Sequence, residues 1–173
     1  MVGQRIGQYL LRRQVGQGGM GAVFEAVDEK TGKLAAVKIM RPEFARNREA
    51  LTRFLNEARA ANLIEHPSIV QVLSDGRLPD GTAFLVMEYL DGETLSQRLR
   101  RYQGPMPEVE VRRIGWQLAG ALAAAHRKSI IHRDLKPGEV TTERAPTGYR
   151  SAPTVSCSRT PEGARAVDIQ PRL

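Results

Sequence analysis

Cysteine is nearly absent. Cys157 is the only one in 173 residues, so no internal disulfide can form, which suits a reducing cytosol. It lies in a polar stretch with no histidine near it, which argues against a nucleophile or a metal ligand. Aromatic residues are also scarce, at 5% of the chain. No Lys/Arg block is interleaved with them. The excess of Lys+Arg (26) over Asp+Glu (19) is therefore a scattered, mostly arginine surface rather than a nucleic-acid footprint. Long apolar runs are missing too. None approaches the roughly 20 residues a membrane helix needs. The N-terminal MVGQRIGQYLLRR has no apolar stretch long enough for a secretory leader. These absences predict a cytoplasmic chain with no membrane segment and no nucleic-acid partner. What remains is ordinary for a globular protein: 41% hydrophobic and 26% charged residues, enough for one domain with a real core.

Residues 1–137 and 138–173 differ in texture. In the first region apolar residues alternate over Tyr9–Val15, Ala22–Asp28 and Leu34–Met40, predicting three strands. Glu29-Lys30-Thr31-Gly32 supplies a turn between the last two, with Gly32 available for positive φ. A helix is predicted over Arg46–Glu65, with Leu51, Phe54, Leu55, Ala58 and Ala61 on one face. His66-Pro67 stops it. Ile69–Leu73 and Thr82–Met87 read as two more strands around the turn Pro79-Asp80-Gly81. Thr94 and Gln97 have capping-box spacing and open a short helix. A longer helix starts near Pro107, with Val111, Ile114, Leu118, Ala121, Leu122 and Ala125 as its buried stripe. Residues 138–173 have no sustained apolar period and contain no lysine. Such a composition buries too little apolar surface to offset its ordering entropy, so this stretch is expected to be largely disordered.

Five segments carry chemistry. Gly16-Gln17-Gly18-Gly19-Met20-Gly21 lets backbone N–H groups approach phosphate oxygens, since no Cβ intervenes. The same spacing also marks dinucleotide-binding folds, where a helix follows the loop. Here the alternating AVFEAV predicts a strand instead. A plain glycine hairpin is the bland alternative. Lys38 closes the apolar run Ala35-Ala36-Val37-Lys38 and needs an anionic partner unless it is an ordinary surface lysine. Glu57 has two possible partners: Arg53 one turn earlier, favoured for the helix in isolation, or Lys38. Phe84–Met87 is an apolar strand running into the polar connection Glu88–Gly92. Finally, Ile131-His132-Arg133-Asp134-Leu135-Lys136-Pro137 follows an apolar helix. Its bland reading is a surface turn with Arg133 and Asp134 paired.

In this order and rough spacing the five segments resemble bacterial Hanks-type serine/threonine protein kinases. GQGGMGAVF, AAVKIM, FLVMEYLDGETL and IIHRDLKP carry the resemblance, which covers roughly residues 7–137. It implies an α+β fold. A kinase N-lobe of five antiparallel strands plus one helix would be followed by the first helices of an incomplete helical C-lobe. The implied divisions are an extension at 1–8, the N-lobe and hinge at 9–90, the start of the C-lobe at 91–137 and a non-kinase tail at 138–173. ATP is the implied ligand and a protein Ser/Thr hydroxyl the implied acceptor. Val15, Gly16, Gly18, Gly21 and Val23 would cover the nucleotide, beside Ala36. Lys38 would take the α- and β-phosphates with Glu57 bracing it. Met87 would sit at the back of the adenine pocket, with hydrogen bonds from the base to the Glu88 carbonyl and the Leu90 N–H. Asp134 would orient the acceptor hydroxyl and Lys136 would stabilise the moving phosphoryl group.

The resemblance then lapses. The family has asparagine five residues past the catalytic aspartate, and this chain has Glu139. A carboxylate can bind Mg²⁺, so that change alone leaves the metal possible. No Asp-Phe-Gly or Ala-Pro-Glu follows. Asp168 stands too far on to replace the missing aspartate. No metal ligand is therefore assigned, and Mg²⁺ as a cofactor is in question. Losing one preorganised electrostatic group commonly costs about a hundred- to a thousandfold in rate. The resemblance thus implies a kinase by family whose transfer is impaired in this chain. The alternative is a non-catalytic relic that binds nucleotide weakly or serves a partner. The abrupt change at Gly138 fits early truncation or out-of-frame translation of a kinase gene.

Overall fold

Alternating apolar residues build an antiparallel sheet from β1 (Arg5–Ile6), β2 (Tyr9–Gln17), β3 (Gly21–Asp28), β4 (Leu34–Met40), β5 (Val72–Arg77) and β6 (Ala83–Glu88), ordered β1-β2-β3-β4-β6-β5. This computed structural model describes residues 1–143 and 153–155, with two compact units. The sheet belongs to the first, Met1–Arg59 with Gln71–Tyr89. Its register fixes what each face carries. Val23 pairs with Lys38 and Lys38 with Leu85, while Glu25 pairs with Ala36 and Ala36 with Met87. Because side chains alternate, Val23, Ala36, Lys38, Leu85 and Met87 share one face. The other face buries Phe24, Ala26, Val37, Ile39 and Val86 with Leu11 and Ile6.

The five expected strands are all present, Leu34–Met40 with the expected ends and the others with ends shifted by one to four residues. The largest shift is the fourth, expected over Ile69–Leu73 and found at Val72–Arg77. The sixth strand is β1, two residues long, which lay in the expected N-terminal extension. Its Ile6 is buried, so the extension contributes to the core. The turns are as anticipated: Gly32 and Gly81 adopt φ of 72° and 86°, where glycine carries no Cβ penalty.

Two helices follow β4. α1 (Pro42–Ala45) is a single turn with proline at its start. α2 (Arg48–Leu63) begins two residues later than expected, because the Asn47 side chain accepts the Ala50 N–H at 2.9 Å and caps it. Phe54 and Ala58 of α2 pack with Met40, Ala50, Ala83 and Leu85, so the helix covers the Lys38 face of the sheet.

The second unit comprises Ala60–Val70 and the chain from Leu90 onward. It contains β7 (Gly92–Thr94), α3 (Leu95–Arg101), α4 (Glu108–Arg127), β8 (Val140–Glu143) and β9 (Pro153–Val155). The predicted capping box forms: the Thr94 hydroxyl accepts the Gln97 N–H at 3.2 Å, and Gln97 Oε1 accepts the Thr94 N–H at 2.8 Å. On α4 the buried residues are Ile114, Ala121, Ala124 and Ala125, whereas Val111 in the expected stripe is exposed. It sits in the first turn, and burial begins a turn later.

The expected loss of structure directly after Pro137 is corrected by β8. Strand pairing of Val140–Glu143 with Gly92–Thr94 and with β9 satisfies backbone groups that composition alone left unassigned. Val140 and Thr142 are buried, so this part of the expected tail is folded. Cys157 and Asp168 lie outside the described residues.

Candidate functional site

The glycine segment joins β2 to β3, and a strand rather than a helix follows Gly21. The dinucleotide-binding alternative requires a helix there and is excluded. The loop is closed by the Gly18 N–H donating to the Gly21 carbonyl at 2.9 Å. Arg41, directly after β4, steadies it. Its guanidinium donates to the Gly18 carbonyl at 3.1 Å and its N–H to the Met20 carbonyl at 2.9 Å.

The glycines differ in why they are needed. A Cβ on Gly21 would collide with the Ile39 carbonyl oxygen across the sheet, so packing alone demands glycine. A Cβ on Gly18 or Gly19 would meet nothing, and neither residue has positive φ. The fold does not require glycine at these two positions. A loop whose backbone must come close to a ligand does.

Lys38 lies on the sheet face toward α2. Its Nζ is 2.8 Å from Glu57 Oε2 and 5.4 Å from the centroid of the Phe54 ring. The Glu57 side chain is 6% exposed and that of Lys38 20%, so this is a largely desolvated ion pair rather than a surface contact. Arg53, the alternative partner for Glu57, instead approaches Glu49 at 3.8 Å. Ala36 and Met87 occupy neighbouring register positions on the same face, as do Val23 and Lys38. Val15 lies on β2, half-exposed, and Gly16 pairs with Val23.

At the end of β6 and just after it the chain is held at successive residues. The Glu88 N–H donates to the Gln71 carbonyl at 3.1 Å, and Glu88 Oε1 accepts the Gln71 N–H at 2.8 Å. The Tyr89 hydroxyl is taken by Glu25 and Arg13. Neither contact was legible in the sequence, since the partners lie 17 to 76 positions apart. With Leu90, which is half-buried, the chain returns to the second unit.

In the second unit, α4 ends in a Schellman turn that delivers Ile130 and Ile131 into the core. The Ile130 N–H donates to the Ala125 carbonyl at 3.0 Å and the Ser129 N–H to the His126 carbonyl at 2.9 Å. His132 is buried after them. Arg133 adopts φ of 59°, an uncommon conformation for a residue with a side chain. Asp134 does not follow the bland Arg133 pairing. Its Oδ2 accepts from Lys136 Nζ at 2.8 Å, and Lys136 also reaches Glu139 Oε1 at 3.2 Å. Hydrogen bonds to Asp134 and then Glu139 raise the Lys136 ammonium above its ordinary range, so it stays charged. Glu139 Oε2 also stands 3.7 Å from His132 Nε2. The Ser96 N–H holds the end of this loop through the Pro137 carbonyl at 3.0 Å. Among the described residues no group of three or more His, Cys, Asp or Glu side chains could hold a metal ion. No helix among them is long and apolar enough to cross a membrane.

Comparison with known proteins matches this geometry. Residues 9–145 match the protein kinase domain family. The chain is 38% identical over 136 residues to serine/threonine-protein kinase pkn3 of Myxococcus xanthus, covering 79% of this chain and 25% of that protein. It is 37% identical over 141 residues to PrkC of Bacillus subtilis, covering 81% and 22% respectively. The crystal structure of the PknI kinase domain from Mycobacterium tuberculosis superposes with a TM-score of 0.74 at 27% identity, over 91% of this chain and 61% of that one. The chain thus spans about a quarter of the length of the curated relatives it matches.

Proposed function

The chain belongs to the protein kinase domain family, and on that premise we propose that its first unit binds ATP for phosphoryl transfer to protein serine or threonine hydroxyls. The Lys38–Glu57 pair carries this reading. An ammonium fixed by a buried carboxylate and an aromatic ring, one strand from a glycine loop, is a preorganised phosphate contact. The backbone of Gly16–Gly21 would wrap the phosphates, and Val15, Val23 and Ala36 would enclose the base. Met87 would bound the pocket, with the Glu88 carbonyl and the Leu90 N–H bonding the adenine edge. In the second unit Asp134 would accept the hydrogen of the acceptor hydroxyl and Lys136 would face the phosphoryl group.

Magnesium in a kinase neutralises charge on the phosphates. The described residues do not fit it well. Glu139, at the position of the family's asparagine, is bound by Lys136, and the sequence contains no Asp-Phe-Gly. This favours, as a second reading, a chain that binds nucleotide but transfers phosphate poorly. Thermal-shift titration with ATP tests the proposal. The melting temperature should rise with ATP in the intact chain and not in Lys38→Met. No shift in the intact chain would discard nucleotide binding, and a shift independent of Mg²⁺ would support the second reading.

A further inference from the structure

Three side chains from distant parts of the first unit meet at Tyr89. Its hydroxyl donates to Glu25 Oε2 at 2.8 Å and accepts from Arg13 Nη2 at 3.0 Å. Arg13 Nη2 is itself 2.6 Å from the same Glu25 oxygen. Arg13 comes from β2 and Glu25 from β3, where the two are cross-strand partners. Tyr89 follows β6, two strands away from β3 in the sheet. The closed triangle is therefore a tertiary device and not a local pair.

Its members are unequal. Arg13 is exposed, but the Glu25 side chain is only 13% exposed. The Tyr89 hydroxyl holds the Glu25 carboxyl below its ordinary range against the cost of burial, and Arg13 adds to the effect. A carboxylate so far from water is costly to place unless its hydrogen bonds are met, and the phenol meets one of them. On the preceding residue, Glu88, the main-chain N–H and the side chain are both bonded to Gln71. Glu88, the last residue of β6, is thus held by backbone and side chain, and Tyr89 after it by its side chain.

A segment that reads a ligand through its main chain has no side-chain rotamer to adjust on binding. Its precision comes from what holds the chain in place. We propose that Glu25 and Arg13 are positioning residues for purine recognition, which fix the backbone at Glu88 and Tyr89 by gripping the Tyr89 hydroxyl and so set affinity for the adenine base rather than for the phosphates. This deepens the nucleotide reading given above and rests on it.

The test compares two probes on the full chain by calorimetric titration: adenosine, which has a base and no phosphate, and inorganic tripolyphosphate, which has the reverse. Tyr89→Phe removes one oxygen and leaves the Arg13–Glu25 pair in place. Glu25→Gln removes the charge. Each should weaken adenosine binding roughly five- to tenfold, the scale of one charge-assisted hydrogen bond acting through position. Tripolyphosphate affinity should stay within about twofold, and the double variant should lose no more than the worse single one, since all three groups form one unit. Folded variants that bind adenosine like the intact chain would overturn the inference. So would parallel loss of both probes, which would mark a general loosening of the sheet. An intact chain that binds tripolyphosphate but not adenosine would also overturn it while sparing the phosphate contacts. An intact chain that binds neither would refute the nucleotide reading itself, and this inference with it.

Discussion

Gly18, Gly19 and Gly21 stand in one loop for different reasons, and substitution separates them. Gly21→Ala drives a methyl group into the Ile39 carbonyl, where β3 and β4 cannot part without breaking their ladder. A loss of about 1–3 kcal/mol in urea unfolding is expected. Gly18→Ala meets open space, so stability should change by less than about 0.5 kcal/mol while ATP affinity falls. Equal destabilisation by both would mean the loop is merely a tight turn. The spacing of these glycines was visible in the sequence, but the division of labour among them was not, because it depends on a carbonyl 18 positions away. For Glu57, helix periodicity favours Arg53 as its neighbour while the family resemblance pointed to Lys38, and the sheet register, which carries Lys38 to the face covered by α2, brings the second pair together.

Elements whose signals are local were legible. The hairpin glycines, the Thr94 capping box and the α4 start at Pro107 each depend on a few adjacent residues. Strands β1 and β8 were not, since each is too short to show alternation and exists through its partner strand. Two substitutions near the ends of α4 test such local contacts. Ser129 occupies the left-handed position of the α4 Schellman turn with φ of 57°. Ser129→Gly relieves the Cβ penalty and should stabilise the protein by about 0.5–1 kcal/mol, read as a higher urea midpoint at unchanged slope. The second concerns Glu110 of α4, which accepts from the Tyr102 hydroxyl and pairs with Arg98. The Tyr102 hydrogen bond, then the charge of Arg98, hold its carboxyl below the ordinary 4.5 despite burial. A lowered folded value means the unfolded chain binds the proton more readily. The stabilisation is therefore present above about pH 4.5 and lost as pH falls through the folded value. Glu110→Gln should cost about 1 kcal/mol near pH 6 and progressively less toward pH 3. A difference independent of pH would show that the carboxylate charge contributes nothing.

For the whole molecule the decisive question is how much chemistry two separately built units can support. On the reading proposed above, the first grips nucleotide through a glycine loop, a lysine braced by Glu57 and a fixed strand end. The second carries Asp134, but the ammonium of Lys136 lies between Asp134 and Glu139 instead of standing free. Binding and transfer should therefore part company. Kinase chemistry depends on positioning and on neutralising the charge that develops on the phosphoryl oxygens. Removal of one such group costs about 3–4 kcal/mol in the barrier. With Glu139 held by Lys136 in place of the family's asparagine, transfer of radiolabelled phosphate from ATP to a generic basic protein should run about a hundredfold below that of a kinase domain with asparagine there. Lys38→Met should abolish what remains. Glu139→Asn should raise the rate if the glutamate restrains Lys136, because asparagine carries no charge to hold an ammonium. A rate comparable to that of such a domain would show that the second unit finds its charge neutralisation elsewhere.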